Sequence, residues 1–262
     1  MKNLNCHQYE ECFRRLQASY EVIAELERVF RSESSSMDQI ARLIEQDPAL
    51  TAEILKVVNS PYYGFPRKIS SVAHAVVLLG VVNIRIIVLT VSFFKSHPRL
   101  SPIWAHSQWV SYIAKELLKK LLKSATQKSP MLLAIDPTTL ATAGVLHDVG
   151  KIPAYICPDT PLPEDHAEVG EIIARCFDFP EELVSAIAHH HRPHEAGAEA
   201  AMVYILYFAN EIVNQRELEE DQISRGATYL GFSVNEMNGV LKSIRETFYT
   251  YLESLRRRRP RK

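Results

Sequence analysis

Glycine is scarce in this 262-residue chain, at nine residues, and no run alternates apolar and polar side chains as a half-buried strand would. That excludes a β-rich architecture. Paired cysteines are also missing. Cys6, Cys12, Cys157 and Cys176 are scattered with no CxxC, which reads as neither a disulfide framework nor a zinc knuckle. A reducing cytoplasm is the expected setting. MKNLNCHQYEECFRR, residues 1–15, has no apolar centre, so no secretory leader is expected there. Neither charge is in excess, with 30 Lys and Arg against 31 Asp and Glu and a net formal charge of −1.

What charge asymmetry exists sits at the end. RRRRPRK, residues 256–262, carries six positive charges, and removing them from −1 leaves residues 1–255 at −7. A short basic terminus reads as a solvated end, and an acidic body argues against nucleic acid as a partner. Val72 to Phe94 approaches membrane-span length, but His74, Gly80, Asn83 and Arg85 interrupt it. Two buried helices, about 70–79 and 81–94, are expected instead of a span, with Gly80 ending the first.

Helical periodicity runs through nearly the whole chain. Phe13, Leu16, Tyr20, Ile23 and Phe30 share one face of a first helix. Ser36 with Gln39 forms a capping box, Asp47-Pro48 and Asp136-Pro137 are cap-plus-Pro starts, and Ser233 with Glu236 is a second box. Ser70 or Ser71 caps the helix at Val72. Further helices are expected over about 103–123, 137–146, 164–176, 180–190, 196–214 and 234–255. NSPYYGFPRK, residues 59–68, reads as a loop. Its Tyr62, Tyr63 and Phe65 are aromatics of the kind that anchor a partner, or else pack over the core. The fold class is all-α.

Histidine and carboxylate are the usual ligands of Zn, Fe, Mn and Ni centres. A lone His106 or His166 is ordinarily a surface or core residue, and a histidine run at a helix C-terminus suits the helix dipole. Order and spacing change that reading. His106, then LHDVGKI at 146–152, then His166 with Gly170, then IAHHHRP at 187–193, resembles the HD superfamily of metal-dependent phosphohydrolases. The resemblance implies metal ligands His106, His147, Asp148, His166, His190 and His191, with Lys151 meeting substrate phosphate.

The upstream half narrows the resemblance. DPALTAEILKVVNSPYYG followed by ISSVAHAVVLLG is similar to the HDOD (HD-related output domain) family, bacterial regulatory modules with an N-terminal helical part before a modified HD core. It covers residues 14–215, divided as 14–97 and 98–215, with a helical extension over 216–255 and the basic tail at 256–262. It implies a multi-helical signal-transduction module, a signalling protein as partner, and a phosphate or nucleotide as candidate ligand.

Two positions depart from the hydrolase pattern. Asn210 stands where the last carboxylate ligand is expected, leaving Asp148 the one anion of the set. Arg192 follows the histidine pair where an acid is expected, and the Gly-Tyr-Pro segment of the cyclic-dinucleotide phosphodiesterases is absent. One divalent transition ion (Fe, Mn, Zn or Ni) is therefore expected rather than two, because four positive charges would face a single carboxylate. The alternative function is a metal-dependent phosphohydrolase acting on a nucleotide or cyclic dinucleotide.

Overall fold

The computed structural model describes residues 6–14, 25–26, 28–30, 32, 36–60, 63, 65–95, 98–124, 130–159 and 161–258. Every regular element among them is a helix: α1 (Cys6–Arg14), α2 (Met37–Glu45), α3 (Pro48–Val58), α4 (Val72–Lys95), α5 (Ser101–Ser124), α6 (Pro130–Leu133), α7 (Pro137–Leu146), α8 (Pro153–Ile156), α9 (His166–Cys176), α10 (Glu181–His189), α11 (Ala200–Val213), α12 (Glu220–Leu230) and α13 (Val234–Arg258). Leu16, Tyr20, Ile23, the side chain of Phe13 and residues 259–262 lie outside the described residues.

Local chemistry sets the helix starts. Ser36 Oγ accepts the Gln39 amide at 3.1 Å, and Asp47 Oδ1 accepts those of Ala49 and Leu50 at 2.9 and 3.0 Å. Asp136 Oδ2 accepts the Thr139 amide at 2.7 Å, and Ser71 Oγ that of His74 at 3.2 Å. The Ser233–Glu236 box closes in both directions, at 2.9 and 3.3 Å.

α4 is long and apolar enough over Val72–Ser92 to cross a membrane by length and composition, and half of that stretch is buried inside the protein. Gly80, at φ 77° and ψ 163°, breaks it. At 1.5 Å per residue the two pieces reach about 12 and 22 Å, short of a hydrocarbon core of about 30 Å.

α2 and α3 pack on α4 as an N-terminal layer, which meets the rest of the molecule through α5 and α7. In the second layer α11 is the central rod, buried from Ala200 to Ile212, with α5, α7, α10 and α12 around it. α13 lies along α5 and α12. The loop after α3 is closed by Asn59, whose Nδ2 donates to the Ile69 carbonyl at 2.8 Å and whose Oδ1 accepts the Ile69 amide at 2.7 Å. Tyr63 is buried there, its ring stacked on Phe65, and burial pushes its phenol up. Tyr63 therefore seals the core and is no exposed anchor; Tyr62 lies outside the described residues.

The cysteines correct the sequence reading. All four are paired, Cys6 with Cys176 and Cys12 with Cys157, both bonds tying α1 to the second layer. The pairs are 170 and 145 residues apart, so no local spacing could announce them.

Candidate metal centre

α7 ends at Leu146 with His147 as its cap, and the chain turns at once through Val149–Lys151. Gly150 lets that turn lie against the first turn of α9: a Cβ there would come 1.9 Å from the His166 carbonyl oxygen. His166 opens α9 behind the cap of Asp165, whose Oδ1 accepts the Ala167 amide at 2.9 Å. α10 ends on His189, with His190 and His191 just past it. His106 comes from α5 and Asn210 from α11. Five separate segments thus meet at Asp148.

The two oxygens of Asp148 face different partners. Oδ1 lies 3.1 Å from His166 Nε2 and 3.8 Å from His190 Nε2. His166 Nε2 is in turn 3.2 Å from the Nε2 atoms of both His190 and His191. Oδ2 lies 3.4 Å from His147 Nε2, 3.7 Å from His106 Nε2 and 2.6 Å from Lys151 Nζ. Two groups result, His166-His190-His191 and His106-His147-Asp148, each compact enough for one ion. Asn210 Oδ1 completes the second, 3.0 Å from His106 Nε2. All eight residues singled out in the sequence are brought together.

The protons are placed to leave lone pairs inward. A carbonyl only accepts, so Nδ1 of His147, 2.8 Å from the Gly144 oxygen, and Nδ1 of His190, 2.7 Å from the Ile187 oxygen, both donate. Nε2 of each then carries a lone pair toward Asp148. His147 Nε2 is buried and has no hydrogen-bond partner among the described residues. An oriented imidazole lone pair, which His190 Nε2 presents on the other side of Asp148 as His147 Nε2 does on this one, is what a metal ligand requires. The residues fit a divalent transition ion.

Electrostatics agree. Burial lowers the pKa of His147 to about 4, holds His190 well below its ordinary value, and lowers His106 and His191. These imidazoles are neutral, the state that binds metal. Burial works against the Asp148 carboxylate, but the hydrogen bond from His166 and the Lys151 ammonium 2.6 Å away outweigh it and hold the group well below its usual range. The Lys151 ammonium supplies positive charge to one carboxylate oxygen.

Sequence reasoning missed the support for these ligands. Asn214, one turn beyond Asn210, donates its Nδ2 to Asn210 Oδ1 at 3.0 Å; the i,i+4 amide pair on a helix was the available signal. Arg192, the other departure from the hydrolase pattern, has partners of its own. It is half-exposed, 3.4 Å from Asp165 and 3.5 Å from Glu195, and those carboxylates compensate it.

The HDOD domain family model matches residues 16–162, and the HD domain model matches 103–230. A Treponema pallidum protein described only as uncharacterized is 21% identical over 261 residues, covering 88% of this chain and 48% of its own length. The chain thus spans about half of that relative. A structure from Shewanella amazonensis, described as a metal-dependent phosphohydrolase, superposes with a TM-score of 0.59 at 20% identity, over 92% of this chain and 99% of its own. One from Marinobacter aquaeolei, described as a signal transduction protein, does so with a TM-score of 0.53 at 15% identity, over 86% and 55%. At these identities the two structures establish the fold.

Proposed function

The chain belongs to the HDOD domain family, and on that premise we propose that it is a signal-transduction output module whose HD-type pocket binds one divalent metal ion without useful phosphodiester turnover. The observation that carries this is Asn210. Where a second carboxylate would neutralise an ion beside His106 and His147, a neutral amide oxygen stands, already engaged by His106 and Asn214. The carboxylate oxygen on that side, Asp148 Oδ2, is taken up by Lys151. The ion therefore goes to the other side, to His166, His190, His191 and Asp148 Oδ1.

A bound ion would act as a Lewis acid and lower the pKa of bound water. This chain's own residues give that chemistry little to work with. Lys151 is pinned to Asp148 in the ground state; released, its ammonium would meet a phosphate or nucleotide at the pocket mouth, so binding without turnover is expected. In the same proposal the partner that reads the module is a signalling protein, and the protein works in the bacterial cytoplasm.

One observation favours the alternative of a metal-dependent phosphohydrolase. Asp148 belongs to one ligand group and its Oδ1 reaches the other, 3.1 Å from His166 Nε2, and a shared carboxylate is how a two-ion centre would be built. The experiment that decides is metal analysis of the purified protein, joined to a cyclic-dinucleotide and general phosphodiester assay with Mn, Fe and Ni. About one ion per chain and no hydrolysis above background supports the module. Turnover near one per second, an ordinary enzymic rate, that disappears in His147→Ala would establish the hydrolase instead.

A further inference from the structure

Two disulfides fasten the N-terminal helix to the half of the molecule that carries the histidines. On α1 the cysteines flank Tyr9 at three-residue spacing, so Cys6, Tyr9 and Cys12 form a single stripe. Tyr9 and Cys12 are each 2% exposed. The stripe rests on α8, which follows the Lys151 turn, and on α9, which begins at His166. A helix of nine residues is too short to persist alone in water. Among the described residues, its attachment rests on the two bonds and the tyrosine between them.

The bonds differ in access. Cys12 and Cys157 are buried at 2% and 1% exposure and Cys176 at 8%, whereas Cys6 is only half-buried. A thiolate arriving from solvent finds the Cys6 sulfur first. We propose that the two disulfides form a thiol–disulfide exchange site for a dithiol reductant, opened in a fixed order: Cys6–Cys176, then Cys12–Cys157.

In the first step the reductant's thiolate bonds to Cys6 Sγ, the Cys6–Cys176 bond breaks, and Cys176 leaves as a thiolate that takes up a proton. The reductant's second thiol, deprotonated, attacks its own sulfur in the mixed disulfide. Cys6 is released as a thiolate and protonated, and the reductant ends as a disulfide, having given two electrons and two protons. Held at one end, α1 swings away from α9 and uncovers Cys12–Cys157, which a second equivalent reduces by the same steps. Full reduction detaches α1 and bares the α8–α9 face beside the metal centre. Disulfides in a reducing compartment are characteristically transient and redox-sensing, so the pairing and the expected setting are compatible. The proposal stands on the disulfides and their burial, independently of metal occupancy.

The test uses the full chain purified in air and treated with dithiothreitol as the probe, with iodoacetamide quenching and mass spectrometry of each cysteine over time. No cysteine should label before reductant is added. Cys6 and Cys176 should label in the first phase and Cys12 and Cys157 only after it. Amide exchange in α9 should rise about tenfold on full reduction, as for loss of a covering element. In Cys6→Ser the lag should vanish and Cys12–Cys157 should reduce several-fold faster; Cys176→Ser, which opens the same bond from its other end, should do likewise. Labelling of all four cysteines without reductant, reduction of Cys12–Cys157 first or simultaneously, or unchanged exchange in α9 would each overturn the proposal.

Discussion

Asn210 differs from an aspartate by one charge, and the pocket is arranged around that difference. With a carboxylate there, His106, His147, Asp148 and residue 210 would present two anions to an ion; with the amide they present one, shared with Lys151. Asn210→Asp should therefore raise retention of a divalent ion on that side by on the order of tenfold, as for other changes that tune a ligand set. Chelator competition monitored by elemental analysis reads this directly, and no gain would mean that the amide is not what limits binding. The assignment of the single ion to the other side gives a sharper pair. His191→Ala should lose most of the bound metal, while His106→Ala should keep most of it. The reverse outcome would move the ion to the His106 side.

At the level of the elements, the legible features were those whose chemistry is local. Ser36, Asp47, Asp136 and Ser233 could be read as caps because a cap needs only its own next three residues. α12 was less visible. Its buried stripe is Ile223, Gly226, Ala227 and Leu230, too small and too polar a set for apolar periodicity to register, although Gly231 at φ 77° ends it as a left-handed cap should. The meeting of the Val149–Lys151 turn with α9 was not legible at all, since Gly150 shows its purpose only once the His166 carbonyl lies beside it. Gly150→Ala must push the two apart. A loss of about 1–3 kcal/mol, the usual cost of overpacking, is expected from denaturant unfolding, along with weaker metal retention because Asp148 and His166 separate. An alanine variant as stable as the parent, with unchanged metal content, would show that the turn has room to give.

Over the whole molecule, family order made the site readable while distance hid the bonds that brace it: the seven candidate ligands follow one another as in the family pattern, but nothing in the chain joins Cys6 to a residue 170 positions away. Burial of the histidines has a consequence at the same scale. In the metal-free protein His147 titrates at about 4 and His190 well below its ordinary value, and His106 and His191 are lowered as well, all first by burial. Unfolded, each imidazole binds a proton near pH 6.5. Between about pH 6.5 and pH 4 the unfolded chain holds protons that the folded one refuses, so stability is complete above 6.5 and lost as pH falls through this window. A tenfold difference in proton affinity is worth about 1.4 kcal/mol, so His147 alone accounts for about 3 kcal/mol by pH 4. Glu211, raised by burial, works the other way, but as one group against four. Urea unfolding in a chelator at about pH 7.5, 6 and 5 should show midpoints that decline progressively below pH 6.5, and a saturating divalent ion should lessen the decline because it holds His190 and His191 deprotonated. A midpoint that stays level from pH 7.5 to 5 would mean that the buried imidazoles accept protons without unfolding, and the histidine cluster around Asp148 would have to open in acid.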